Sequence, residues 1–173
     1  SIDKNNYDML VFCSRNVKKA KIPDFIEIIS SYAFEFCNQL QSIEFSTDSK
    51  LQIIEKNAFH LTSLNKIMIP RHINKIGNNA FSYCINLRKI EFQTNSELQI
   101  IESNAFDNTP IISFSIPPHF ALASGDIFGS NNSLQIIEID QNSIIECIET
   151  NLFSKCKQVI IMIPVELTSL TFL

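Results

Sequence analysis

The sequence predicts an α/β repeat solenoid, a coiled chain with a parallel sheet on one face and short helical turns and loops on the other. Three observations predict it. Residues 50–59 read KLQIIEKNAF and residues 97–106 read ELQIIESNAF, 47 positions apart. The dipeptide Ile-Pro recurs with the same step at Ile22-Pro23, Ile69-Pro70, Ile116-Pro117 and Ile163-Pro164, as do the polar tracts STDS (46–49), QTNS (93–96) and DQNS (140–143). Aligned on the Ala-Phe pair, the period divides further: Val11-Phe12, Ala33-Phe34, Ala58-Phe59, Ala80-Phe81, Ala105-Phe106, Ile127-Phe128 and Leu152-Phe153 alternate in steps of 22 and 25. Self-similarity at a fixed step in this range marks a repeat architecture in which each unit stacks on the next.

Each unit then resolves into elements. After the Ala-Phe pair comes apolar–x–x–apolar–x–apolar, as in Leu40/Ile43/Phe45, Leu64/Ile67/Ile69 and Leu87/Ile90/Phe92. Its alternating end predicts a short strand with one buried face. Before the pair, apolar residues fall at a three-residue step, as in Ile26/Ile29, Leu51/Ile54 and Ile73/Ile76. The stretch NNAFSYC (78–84) and its counterparts are expected to form a single helical turn that tucks Ala and Phe inward. All seven Phe of the aligned column are expected in one core slot. Pro at the end of the shorter units removes a donor where the strand ladder finishes, and the polar tracts are expected as loops along one rim. The alternation of 22 and 25 should then appear as alternating tight and bulging corners.

A unit this short cannot bury both sides of its own coil, so neighbours must share the Phe, Ile and Leu columns. Residues 1–173 therefore read as one solenoid of about seven units with no linker. The tail VELTSLTFL enters an eighth unit without finishing it, and the expectation is a segment of a longer array.

Composition narrows the function. The chain is 45% hydrophobic with a net charge of −4 and a pI near 5.3, which argues against nucleic acid as a partner. No apolar run approaches the roughly 20 residues of a membrane helix, so no direct membrane insertion is expected. Cys13, Cys37, Cys84, Cys147 and Cys156 are an odd number without a CxxC pair, and neither a disulfide framework nor a zinc site is indicated. Cys37, Cys84 and Cys156 stand four residues after the Ala position, which reads as a small buried residue in one column. His60, His72 and His119 lack ligand spacing, and the three Gly supply no phosphate loop. No cofactor, metal or catalytic group is expected. One glycosylation sequon, Asn131-Asn132-Ser133, falls in the column of Cys37 and Cys84, where burial should hide it.

Units such as IPRHINKIGNNAFSYCINLRKIEF (69–92) closely resemble the BspA-like class of leucine-rich repeats: Ile-Pro, spaced Ile, Gly, Ala-Phe, Cys and Leu-x-x-Ile. The likeness covers essentially the whole chain. It departs at the Gly, kept only at Gly77, at the Cys position (Thr62, Thr109, Asn131), and at Ile127 and Leu152 in place of Ala. The resemblance implies the leucine-rich-repeat fold. It further implies a cell-surface or secreted protein that binds host matrix or cell-surface proteins, or another microbe's surface protein.

Bottom-up, the regular surface of such a solenoid is the solvent face of its strands. Its central column is Lys21, Glu44, Met68, Glu91, Ser115, Glu138 and Met162, flanked by Lys19, Ser42, Lys66, Lys89, Ser113, Ile136 and Ile160. The candidate protein-binding residues are Ser42 through Met162 of these two columns: acidic-striped, and apolar at Ile136, Ile160 and Met162. Duplication of a 47-residue module would also repeat Glu44, Glu91 and Glu138. Every second coil sets these carboxylates about 10 Å apart, wider than the roughly 5–9.5 Å of paired-carboxylate chemistry. The expected function is a non-enzymatic adhesion module; the alternatives are an intracellular scaffold or adaptor and a structural spacer. Exposed end coils would also permit end-to-end self-association.

Overall fold

The computed structural model describes residues 8–145, 147–148, 152, 155–167 and 170–172. The chain is a parallel β-solenoid of about six turns. Each turn carries a longer and a shorter strand. The longer ones are β2 (Lys19–Ile22), β4 (Ser42–Phe45), β6 (Lys66–Ile69), β8 (Lys89–Phe92), β10 (Ser113–Ile116), β12 (Ile136–Ile139) and β14 (Ile160–Met162). The shorter ones are β1 (Met9–Leu10), β3 (Ile28–Ile29), β5 (Ile53–Ile54), β7 (Lys75–Ile76), β9 (Ile100–Glu102), β11 (Leu122–Ser124), β13 (Cys147–Ile148) and β15 (Thr171–Phe172).

The strands at Ile43, Ile67, Ile90, Phe114 and Ile137 alternate as expected, with the named residue buried and its neighbours toward solvent. They do not close into one sheet, however. β2 pairs with β4, β6 with β8, and β10 with β12 and then β14, whereas no ladder joins β4 to β6 or β8 to β10. The longest sheet is the six-stranded β1-β3-β5-β7-β9-β11, built from the segments with a three-residue apolar step. Ile29, Ile54, Ile76 and Ile101 of that sheet point into the core, fully buried.

The expected helical turn does not form, and no α-helix occurs among the described residues. The segment is a run of tight turns whose donors divide their work. The N–H groups of Tyr32, Phe34 and Phe36 donate to Lys56, Ala58 and His60 carbonyls of the next coil at 3.1, 2.7 and 3.0 Å. Those of Ala33, Glu35 and Cys37 donate three residues back, to Ser30, Tyr32 and Phe34. A helix would spend every donor within its own coil; here alternate donors bind coil to coil. This alternation requires left-handed backbone at two places per coil, with φ of +65° at Tyr32 and +58° at Phe36, and again at Asn57 and Leu61, Asn79 and Tyr83, Asn104 and Asn108. Asn tolerates that region best among non-Gly residues. The bulky residues adopt it because the inter-coil bonds over-determine the turn.

Inside the turns runs the Phe column. Phe34, Phe59 and Phe81 stack nearly parallel with centroids 4.9 and 5.1 Å apart, Phe81 continues to Phe106 at 5.7 Å, and Phe106 to Phe128 at 5.9 Å. All five rings are buried. Phe12 is not the first member: it is 64% exposed, and the N–H of Cys13 makes the bond to Ala33 that Phe34 makes to Ala58. Leu10 pairs with Ile29, so the first unit reaches the core column in three residues where the second takes five, and Cys13 occupies the place. Phe153 lies outside the described residues.

The polar tracts are turns anchored from within. Ser49, Ser96 and Ser143 accept the N–H of Leu51, Leu98 and Ile145 at 3.3, 3.4 and 3.2 Å, and Ser49 and Ser96 are buried. The Pro carbonyls at 23, 70, 117 and 164 each accept an N–H three residues on, turning the chain toward the next short strand. Cys37 and Cys84 are buried as their column implies, and Cys156 is partly buried against the core. Asn131 is 1% exposed. Its Oδ1 accepts the N–H of Ser133 at 2.8 Å and of Leu134 at 3.0 Å, while its Nδ2 donates to Thr109 and Ile111.

Candidate functional site

Register brings the two predicted columns together. Lys21 pairs with Glu44, Met68 with Glu91, and Ser115 with Glu138, which in turn pairs with Met162. Lys19 pairs with Ser42, Lys66 with Lys89, and Ser113 with Ile136 and then Ile160. All of these side chains lie on the solvent side of their strands; Ser42, Glu91 and Ile136 are half-buried and the rest exposed. The apolar end is represented by Ile160, 65% exposed, and Met162, 54% exposed, with Ile136 partly covered.

The acidic stripe is less uniform than the spacing of its Glu residues suggests. Glu91 is held by an ion pair with Lys89 on the same strand. Glu138 accepts a hydrogen bond from Ser115 Oγ at 3.1 Å. Glu44 has Lys21 beside it on the paired strand. Exposed pairs of this kind contribute little to stability, so they leave the face free to exchange partners.

A concavity lies on this face. It is a groove of about 660 Å³. Its floor is Met68, Lys89, Glu91, Ser113, Ser115 and Glu138. Its walls are the tract Gln93–Ser96 on one coil, Pro117–His119 on the next, and Asp140 and Asn142 beyond. The groove opens where the ladder between β8 and β10 is missing. Ser42, Glu44 and Lys66 lie on the same face outside it, as do Ile136, Ile160 and Met162. The wall residues were absent from the strand columns, although the 47-residue recurrence of QTNS and DQNS marks where they stand.

A second surface feature escaped the sequence reading. On the turn side, Phe36 and Tyr83, 53% and 45% exposed, both contact the His60 ring edge-on at 6.0 and 5.7 Å. Arg15 lies over the Phe36 and Phe12 rings at 5.9 and 5.6 Å, within cation–π range. His60 Nδ1 and Ser82 Oγ are 2.6 Å apart, but Ser82 is buried, where its hydroxyl also donates to Asn79 O. Phe36 and Tyr83 share a column with Leu61, at steps of 25 and 22, and His60 stands one place before Leu61.

Cys84 is a poor nucleophile. Burial pushes the Cys84 thiol up to about 11, against which the Thr62 hydrogen bond pulls only partly, and a neutral buried thiol is unreactive. His72 is exposed and lies 3.1 Å from the Glu97 carboxylate; His119 is exposed on the groove wall. No group of three His, Cys, Asp or Glu among the described residues could hold a metal. No helix among them is long and apolar enough to cross a membrane.

Comparison with known proteins follows the same lines. The chain is similar in fold to the pneumococcal vaccine antigen PcpA, at 22% identity over 82% of this chain and 41% of that one, with a TM-score of 0.68. It is also similar to a leucine-rich repeat protein from Eubacterium ventriosum (17% identity, 96% of this chain, 45% of that one, TM-score 0.64). A third likeness is to the T. pallidum leucine rich repeat protein (21% identity, 86% of this chain, 57% of that one, TM-score 0.53). The chain thus spans 41% to 57% of the length of these proteins. No curated protein matches it significantly. The model of the BspA type leucine rich repeat region matches residues 6–135 and 52–172 in 6 copies, and the chain belongs to that family.

Proposed function

We propose that this chain is a non-enzymatic protein-binding module, an adhesion segment of a surface-exposed leucine-rich-repeat protein that takes a host or microbial protein along its strand face. The observation that carries the reading is the groove. It combines exposed floor residues, mixed charge and turn-borne walls, and it is an open trough of the shape a protein segment fills rather than an enclosed small-molecule site. Family membership supports the surface location. The offsets of 25, 22, 25 and 22 between paired residues from β3 to β11 support the alternating corners, with the longer step contributing the polar wall.

The test is binding of the purified chain to immobilised matrix proteins and host cells beside the variant Glu44→Lys, Glu91→Lys, Glu138→Lys. Loss of binding in a folded triple variant supports recognition on this face. Equal binding by both forms sinks it, and binding by neither favours a spacer or an intracellular adaptor.

A further inference from the structure

We propose that Cys13 and Cys37 form an oxidisable pair whose disulfide staples the first coil to the second. Cys13 holds the core place that Phe34, Phe59, Phe81 and Phe106 hold in their own coils, through its N–H bond of 2.9 Å to Ala33 O. Its side chain is partly buried and packs against the core. Cys37 stands on the adjacent coil, fully buried, and its Sγ lies 3.7 Å from the carbonyl oxygen of Ser14, the residue that follows Cys13. The corresponding contact two coils on shows what this position faces: Cys84 Sγ lies 3.1 Å from Phe59 O, the core Phe of the preceding coil. Between the first two coils the residue in that Phe place is Cys13, one residue before the carbonyl that Cys37 meets.

Cys13 stands opposite Phe34 and Cys37 three residues beyond it, so the cross-link forms diagonally between the coils, over the turn in which the Val17 N–H donates to Ser14 O. It must bring the two Cα atoms within the roughly 4.4–6.8 Å that a disulfide requires. The two thiols also sense one another electrostatically. Burial is the largest cause that raises Cys37 above its ordinary range; Cys13 raises it further and Arg15 draws it down.

The chemistry needs a two-electron oxidant such as hydrogen peroxide. Cys13, the more accessible sulfur, attacks a peroxide oxygen as thiolate; the O–O bond breaks, hydroxide leaves, and Cys13 becomes a sulfenic acid. Cys37 then attacks the Cys13 sulfur as thiolate, the S–S bond forms, and the displaced hydroxide takes up a proton as water. In balance, two thiols are oxidised and one peroxide is reduced to two waters. Burial holds both thiols above their ordinary range, so the reaction is slow at neutral pH and accelerates as pH rises.

The full chain is treated in dilute solution with hydrogen peroxide and digested with trypsin without reduction, which releases Cys13 in residues 5–15 and Cys37 in residues 22–50. The expected product is the joined pair of peptides, lighter by two hydrogens than their sum, formed by the native chain, lost in Cys13→Ser and Cys37→Ser, and reversed by dithiothreitol. Oxidation should also raise the guanidinium midpoint of the native chain, and of Cys84→Ser, but of neither Cys13→Ser nor Cys13→Ala. Sulfinic acid at Cys13 without the cross-link overturns the proposal. So does cross-linking that appears only in denaturant or that joins Cys84, Cys147 or Cys156 instead.

Discussion

Replacing Phe81 by Ala should unfold this solenoid from its middle. The ring is fully buried and stacked between Phe59 at 5.1 Å and Phe106 at 5.7 Å, so truncation opens a cavity that touches two further coils. Large-to-small changes at such sites cost about 3–5 kcal/mol. A stacked aromatic pair adds roughly 0.5–1.5 kcal/mol beyond its buried area, which places Phe81→Ala at the upper end. For a chain of this length each kcal/mol lowers the melting temperature by about 2–4 °C, so a drop on the order of 10 °C or more is expected. Phe12→Ala is the internal control. Phe12 shares the aligned Phe column in sequence but is exposed, and its loss should stay within about 0.5 kcal/mol. Thermal and guanidinium unfolding followed by circular dichroism reads both variants. Equal shifts for Phe12→Ala and Phe81→Ala would refute the assignment of Cys13, rather than Phe12, to the core column.

Gly77→Ala should destabilise by about 1–3 kcal/mol as overpacking does. A Cβ there would meet backbone atoms of Glu55 and Lys56 at 2.7 Å, which guanidinium unfolding should register. The Glu102 carboxylate is held below its ordinary value of 4.5 by the Lys75 side chain, helped by the Asn78 N–H and opposed by partial burial. A carboxylate lowered in this way stabilises the fold above its unfolded value and loses that contribution as pH falls through its folded one. Glu102→Gln should therefore be less stable than the native chain at neutral pH and converge with it in acid; parallel curves would contradict the pairing. Asn131→Ala strands the buried N–H of Leu134 and the partly buried N–H of Ser133 and should cost about 1–3 kcal/mol. In a glycosylating host, the folded chain should carry no glycan at Asn131, as mass spectrometry would show.

The period, the strands and most of the Phe column were readable from sequence, because stacking forces the same residue into the same slot in every coil. Phe34, Phe59, Phe81, Phe106 and Phe128 obey that logic. What was not readable depends on hydrogen bonds between residues 22 to 25 apart. The pattern Asn-Ala-Phe-x-x-Cys fits one helical turn locally, and only the donors sent to the next coil, Phe59 to Ala80 and Leu61 to Ser82, exclude it. The recurrent Asn at 57, 79 and 104 was the available clue, since each has φ near +56°. Phe12 misled because the first unit is shorter than the second between strand and core, so aligning like letters missed the register. On the strand face, the columns were placed by alternation alone. The groove walls were not, because Gln93–Ser96 and Pro117–His119 become one trough only where the ladder between β8 and β10 opens.

The central claim is that partners engage the groove of the strand face and not the aromatic row on the turns. It is tested most directly by filling each surface in turn, with Ser115→Arg on the groove floor and Tyr83→Arg on the row, and measuring affinity for whichever matrix or cell-surface protein the chain binds. The account predicts that Ser115→Arg abolishes binding with melting unchanged and that Tyr83→Arg leaves it intact. Loss with Tyr83→Arg and full binding by Ser115→Arg would contradict it and move recognition to the opposite side of the coil.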